Sequence, residues 1–272
     1  MLSHAAAAVG RGWGFAIHEA MDQIGAMVGP IIVMAVLIIN GSYRFSFAIL
    51  AIPGILAITI LIIARMNFPE PHKLETETEK HRDGRLSTVF WLYLAAIGLI
   101  AAGFTDYPLI AFHIKSHSLF DDKWIPLLYA CAMGIDALAA LVFGRLYDKK
   151  GVLALIVSIV ISSTFAYFTF SSIPALIVGG VLLWGIGMGA QESIVRAVVA
   201  DIVPTHKRGT GFGLFNACFG IAWFIGSVIM GILYDFSLPA LIVLSICCQI
   251  GALPLLIQVH KRISRPTNKA AG

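Results

Sequence analysis

The sequence predicts an all-α polytopic membrane protein of eight transmembrane helices, on three observations. Of its 272 residues, 58% are hydrophobic and only 12% charged, about half the charged share of a soluble domain. A water-soluble fold of this size could not hide so much apolar surface in one core. The apolar residues form continuous rather than alternating runs, which selects helices over barrel strands. Polar breaks divide the runs into lengths near the roughly 20 helical residues needed to cross about 30 Å of hydrocarbon. This composition excludes a cytosolic enzyme, a disordered or nucleic-acid-binding chain, and a disulfide-stapled secreted domain. Cys131, Cys218, Cys247 and Cys248 lie within apolar runs and read as small packers.

The spans are expected at 13–39, 44–66, 87–113, 124–146, 151–170, 174–203, 209–235 and 238–258. The first closes at Asn40-Gly41-Ser42. After the second, residues 67–86 carry Glu, Lys, Arg and His with two prolines and no apolar period, so they read as a solvated linker. The mostly polar stretch HIKSHSLFDD separates spans three and four, and Asp148-Lys149-Lys150-Gly151 separates four and five. Later breaks fall at Ser171-Ser172-Ile173-Pro174, from Pro204 to Gly209, and at Ser237-Leu238-Pro239. Met1 to Val9 is small and uncharged apart from His4, unlike a cleavable signal peptide.

Basic residues set the orientation. With the N-terminus, the linker, the loops near 148 and 206 and the C-terminus on one side, fifteen lysines and arginines gather there, against Arg44, Lys115 and Lys123 opposite. Arg196 lies within a span. Both termini are therefore expected in the cytoplasm, with the chain in the cell membrane.

Residues 11–34 align without gaps to 208–231 at an offset of 197. Arg11/Arg208, Gly12/Gly209, Gly14/Gly211, Phe15/Phe212, Ala20/Ala217, Ile24/Ile221 and Gly29/Gly226 are identical. Small residues on one helical face would let another backbone approach; chance matching of glycine-rich helices is the alternative. If the repeat holds, span one is equivalent to span seven and span two to span eight, and four helices are expected before Met1. The organisation is then 1–66, the last two helices of an N-terminal half; 67–86, the linker; 87–260, a six-helix C-terminal half; and 261–272, a cytoplasmic tail.

Gly144-Arg145-Leu146-Tyr147-Asp148-Lys149-Lys150-Gly151 is similar to the cytoplasmic loop motif G-x-x-x-D-[RK]-x-G-[RK]-R of the major facilitator superfamily. Gly144, Asp148, Lys149 and Gly151 match, while Val152 and Leu153 replace the last two basic residues. Gly25-Ala26-Met27-Val28-Gly29-Pro30 resembles the core of that family's fifth-helix antiporter motif, without its trailing Gly-Gly. The linker and charge pattern also fit. The resemblance implies helices five to twelve of a twelve-helix fold and secondary transport of a small solute. Physically, Gly144 permits close helix contact, and Asp148 with the adjacent lysines could latch a neighbouring helix end; an ordinary charged turn is the plainer reading.

Ionisable groups within spans are costly in hydrocarbon and each needs a reason. In span one His18 stands over Asp22, and Glu19 over Gln23, at i,i+4 spacing. Span six carries Gln191, Glu192 and Arg196, with Glu192 able to pair with Arg196 one turn on. Asn216 is the repeat equivalent of Glu19. Glu19, Asp22, Glu192, Arg196 and Asn216 are expected to converge on one cavity between the halves, against a solvated helix start for the first two and a self-satisfied pair for Glu192 and Arg196. Asp136, near the midplane with no basic residue within a turn, is a candidate to bind and release protons. Asp106 is a second such group, or a hydrogen-bonded kink beside Gly103 and Pro108. Trp184, Phe215, Phe219 and Trp223 either line the cavity or pack.

His113, His117 and Asp121 recur at intervals of four and could hold a metal, but their segment is mostly loop, and no metal is assigned. No Walker loop or nucleophile elbow is present, and the second histidine of H-E-x-x-H is replaced by Asp22, so no enzyme is expected. The expected function is secondary active transport by alternating access, coupled to protons, with no cofactor and with a small solute, protons and the bilayer as partners. The alternative is a truncated, non-transporting membrane fragment. Acidic and basic groups both lie near the proposed cavity, which leaves the solute's charge open.

Overall fold

A computed structural model describes residues 10–67 and 86–263. Its helices are α1 (Arg11–Asn40), α2 (Tyr43–Asn67), α3 (Thr88–Gly103), α4 (Tyr107–Ser116), α5 (Trp124–Lys150), α6 (Leu153–Ser162), α7 (Phe165–Thr169), α8 (Pro174–Ile202), α9 (Arg208–Phe236) and α10 (Leu238–Ile263). The expected linker 67–86 and the C-terminal tail lie almost wholly outside the described residues.

Among the described residues seven stretches are long and apolar enough to cross a membrane, α3 and α4 together forming one of them. The remaining expected span, the fifth at 151–170, is a shorter apolar stretch divided between α6 and α7. A hydroxyl sits at the break: Ser163 Oγ donates to the Val160 carbonyl at 3.2 Å, offering the backbone a local alternative to an unbroken helical ladder. Span three breaks at Phe104 and Asp106, both in extended conformation ahead of Pro108. The freed backbone groups find partners on neighbouring helices, as hydrocarbon requires. Trp184 Nε1 donates to the Thr105 carbonyl at 2.8 Å, and Ser245 Oγ to the Gly103 carbonyl at 2.7 Å.

The packing centres on two groupings. α1 lies along α5, α5 along α8, and α1 also touches α8; separately, α9 and α10 flank α3. α2 packs mainly on α1, and its side chains are largely exposed, as suits a lipid-facing helix. α1 and α9 begin at Arg11 and Arg208, the same offset of 197 found between the repeated sequences.

Small residues let these backbones meet. Side chains added at Gly12 or Gly144 would strike the facing backbone of α5 or α1, and those at Gly185 and Gly189 would strike Ala132 and Asp136. The repeated glycines differ in use: Gly226 abuts Ala102 of α3, whereas Gly29 faces open space. Gly185→Val should therefore cost about 1–3 kcal/mol by overpacking the α5–α8 seam. The check is the unfolding midpoint in detergent, which should fall for this variant and hold for Gly179→Val, where the added carbon meets nothing within 4 Å.

Candidate functional site

At the basic end of the bundle, the residue at the cap position before α1 is Gly10, which has no side chain to cap it. The cap comes from α5. Asp148 accepts hydrogen bonds from the backbone N–H groups of Gly12 at 2.8 Å and Trp13 at 2.9 Å. A carboxylate at these orphan N–H groups also meets the positive end of the helix dipole. Gly10, at φ +99°, and Gly12 leave room for that carboxylate, since side chains on either would collide with it. The motif residues thus divide their work: Gly144 admits α1, Asp148 caps it, and Gly151 closes α5 at φ +59° with its N–H on the Tyr147 carbonyl at 2.7 Å. Lys149 is exposed.

Further bonds surround this cap. The Arg145 guanidinium lies 3.9 Å from the centre of the Trp13 ring, a cation–π contact. Arg11 pairs with Asp201, which also accepts from the Tyr147 hydroxyl. Arg11 and its repeat equivalent Arg208 both donate to the Ala200 carbonyl, at 3.0 and 3.2 Å. Three helices, α1, α5 and α8, are tied together here, with α9 joined through Arg208.

About two turns further along α1, three carboxylates meet. One oxygen from each of Glu19, Asp136 and Glu192 lies within 4.8 Å of the others, on α1, α5 and α8 respectively. Gln23 Nε2 bridges two of them, donating to Glu19 at 2.9 Å and Glu192 at 3.0 Å. Arg196 approaches Glu19 at 3.5 Å, so the pair expected between Glu192 and Arg196 on one helix is replaced by pairing across helices. Asp136 is 0% exposed, and neither of its oxygens has a hydrogen-bond partner.

A cavity of about 260 Å³ adjoins the cluster, lined by Gln191, Glu192, Arg196, Asn216, Phe219 and Trp223 among others. Glu192, Arg196 and Asn216 therefore converge as the sequence suggests, and Glu19 joins them through Arg196. Asp22 does not: it is exposed and pairs with His18 at 3.2 Å. Gln23, noted in the sequence only as Glu19's neighbour one turn on, is the bridging residue.

A larger cleft of about 810 Å³ opens toward the opposite end, between Pro30 and Tyr43 on one side and Tyr107, Tyr129, Trp184 and Trp223 on the other. Its lining is mostly apolar. Asp106 faces it at the break between α3 and α4 and accepts hydrogen bonds from Trp223 Nε1 and Ser227 Oγ of α9, which favours the hydrogen-bonded kink. Trp184 lines this cleft rather than the smaller cavity. The three candidate metal ligands near the end of α4 are otherwise engaged. His113 contacts Tyr234 Oη at 3.0 Å, His117 contacts the His113 carbonyl at 3.0 Å, and Asp121 pairs with Lys123 at 3.3 Å.

The model of the Major Facilitator Superfamily matches this sequence over residues 1–227 and again over 107–271. The chain belongs to the Major Facilitator Superfamily. It is 37% identical over 267 residues to an uncharacterized protein of Mycobacterium tuberculosis, a match covering 96% of this chain and 65% of the relative. The superfamily chain is also 33% identical over 94 residues to an uncharacterized MFS-type transporter of Methanocaldococcus jannaschii, covering 34% of this chain and 24% of that one. Over 105 residues it is 33% identical to the class C tetracycline resistance protein of Escherichia coli, covering 38% of this chain and 26% of the relative. Membership in the superfamily and the apolar helices make it a multi-pass membrane protein.

In this superfamily member the loop motif acts on α1 through a cap, which predicts a local effect. Asp148→Ala should remove about 1 kcal/mol of capping, raising amide exchange at Gly12 and Trp13 about fivefold. Hydrogen exchange in nanodiscs measures this, with exchange at the opposite end of α1 unchanged.

Proposed function

We propose that this chain forms the larger part of a secondary active transporter that moves a small solute by alternating access, coupled to protons. The carrying observation is the junction of buried Glu19 and Asp136 with half-buried Glu192 between α1 and the α5–α8 pair. On the expected organisation these helices come from different halves, so rocking of the halves would separate the carboxylates and change their protonation. Glu19, Glu192, Arg196 and Asn216 form the polar wall, and Asp136 carries the exchangeable proton. Asp106 holds the broken helix against α9, and Asp22 lies beside the pathway.

The basic end is read as cytoplasmic, with both termini there and the chain in the cell membrane. The ties around Asp148 and Asp201 then close the cytoplasmic side, while the 810 Å³ cleft opens outward. Its rings, Tyr107, Tyr129, Trp184 and Trp223, suit a solute with an apolar, ring-bearing body, because aromatic faces stack on such groups. The tetracycline resistance protein among the relatives makes tetracycline a reasonable first compound.

The matched chain spans 65% of the length of the mycobacterial relative, and the exposed side chains of α2 favour a second reading in which this segment alone does not transport. Proteoliposomes separate the two. A proton gradient should drive tetracycline or another ring-bearing solute across vesicles when the chain is joined to the segment its relatives carry beyond the match. Movement by that longer protein but not by the chain alone favours the second reading. Asp136→Asn should abolish proton-driven movement in the longer protein; unchanged pH dependence would remove Asp136 from the proposal.

A further inference from the structure

The acid cluster has a charge imbalance. Three carboxylates face one guanidinium, Arg196, and the other cationic groups on the packed helices are engaged elsewhere or exposed. Arg11 is held by Asp201, His18 by Asp22, Arg145 lies on the Trp13 ring, and Lys149 and Lys150 are at the exposed end of α5. With every carboxyl ionised the site carries two negative charges more than Arg196 offsets, in a setting where uncompensated charge is costly.

Spacing and satisfaction identify what fits. Oxygens bound to one ion at about 2.3–2.6 Å stand up to about 5 Å apart when opposed; the three carboxylates offer oxygens within 4.8 Å of one another. Asp136 is fully buried, aimed into the cluster, and has both oxygens unpartnered. This is independent of the acids' proximity, because a structural carboxyl in a dry interior normally takes up donors. Glu19 and Glu192 already accept from Gln23, yet Asp136 receives no such bond. The donors are carboxylate oxygens, with the Gln23 amide able to present its carbonyl by turning over. Such an all-oxygen set suits hard divalent ions rather than zinc or copper.

We propose that Glu19, Asp136 and Glu192 bind one hard divalent cation of the calcium and manganese class, clamped between α1, α5 and α8. The three ligands come from three separate helices, so their sequence spacing carries no metal signature. The site uses the same carboxylates as the transport reading but stands without it.

Manganese binding to the purified full chain in nanodiscs tests this, read by the loss of the free-ion signal in electron paramagnetic resonance and by displacement with calcium. One saturable equivalent is expected, tightening as pH rises because the metal displaces protons. Asp136→Asn and Glu19→Gln should each weaken it at least about tenfold, and Asp22→Asn should leave it unchanged. Glu192→Gln, altering the least buried of the three acids, gives a further test if either deeper variant fails to fold. Absence of saturable binding to folded wild-type chain, or binding unaffected by loss of any of the three acids, overturns the site. Proton-driven transport without manganese binding would sink this proposal alone; manganese binding without proton-driven transport by the longer protein would sink the coupling reading alone.

Discussion

A charge inside hydrocarbon has to be answered by the protein, because lipid supplies neither hydrogen bonds nor counter-ions. Much of the polar organisation of this chain follows from that requirement. Lysines and arginines collect at one end, where headgroups and water can receive them. Glu19, Asp136 and Glu192 are held where three helices meet, Asp106 accepts bonds from Trp223 and Ser227, and even the backbone groups released at Thr105 and Gly103 are taken up by Trp184 and Ser245. The apolar content that marks the sequence as a membrane protein also makes an interior polar atom without a partner, such as either Asp136 oxygen, stand out.

Meeting that requirement depends on how closely the helices approach. Carboxylates on α1, α5 and α8 converge because Gly12, Gly144, Gly185 and Gly189 remove side chains from the seams between them. Gly189 is the clearest case: it faces the backbone and carboxyl of Asp136 itself. A larger residue there would push α8 from α5 and carry Glu192 away with it. Small residues thus serve two purposes, tight packing without a hydrophobic driving force and the placement of charges that packing alone would not bring together.

The long apolar helices were legible because length and hydropathy report directly on the bilayer. Of the grouped residues, Glu192, Arg196 and Asn216 line one cavity and Glu19 reaches it through Arg196. Rotation about the helix axis was not legible: Asp22 lies only three residues from Glu19, yet it turns to His18 and away from the cluster. Pairing across helices was hidden for a related reason. Local spacing offers Arg196 to Glu192, but the fold brings Glu19, 177 positions distant, to the guanidinium instead. One long-range contact did leave a local trace. Gly10 and the residues beside it provide no side-chain cap for a helix of 30 residues, so a donor-satisfying group had to arrive from elsewhere, and Asp148 supplies it. The division of span five falls at Ser163, whose bond to a nearby carbonyl does not register in a hydropathy average.

The cap and the acid cluster are joined mechanically through α1. Gly12 and Glu19 are seven residues apart on one helix, about 10 Å along its axis, and no proline lies between them. A rigid tilt of α1 that withdrew Gly12 from Asp148 would also shift Glu19 and Gln23 against Asp136 and Glu192. Gln23 holds two of the three acids in register, so its displacement alone would leave Glu192 without that donor. On the proposed reading, each arrangement of α1 would have its own state of charge in the cluster, and a proton or cation bound there would bias the closure of the basic end. That reciprocity requires only that the ligand bind one arrangement better than the other, and it is carried by a continuous helix rather than by a chain of loosely packed side chains.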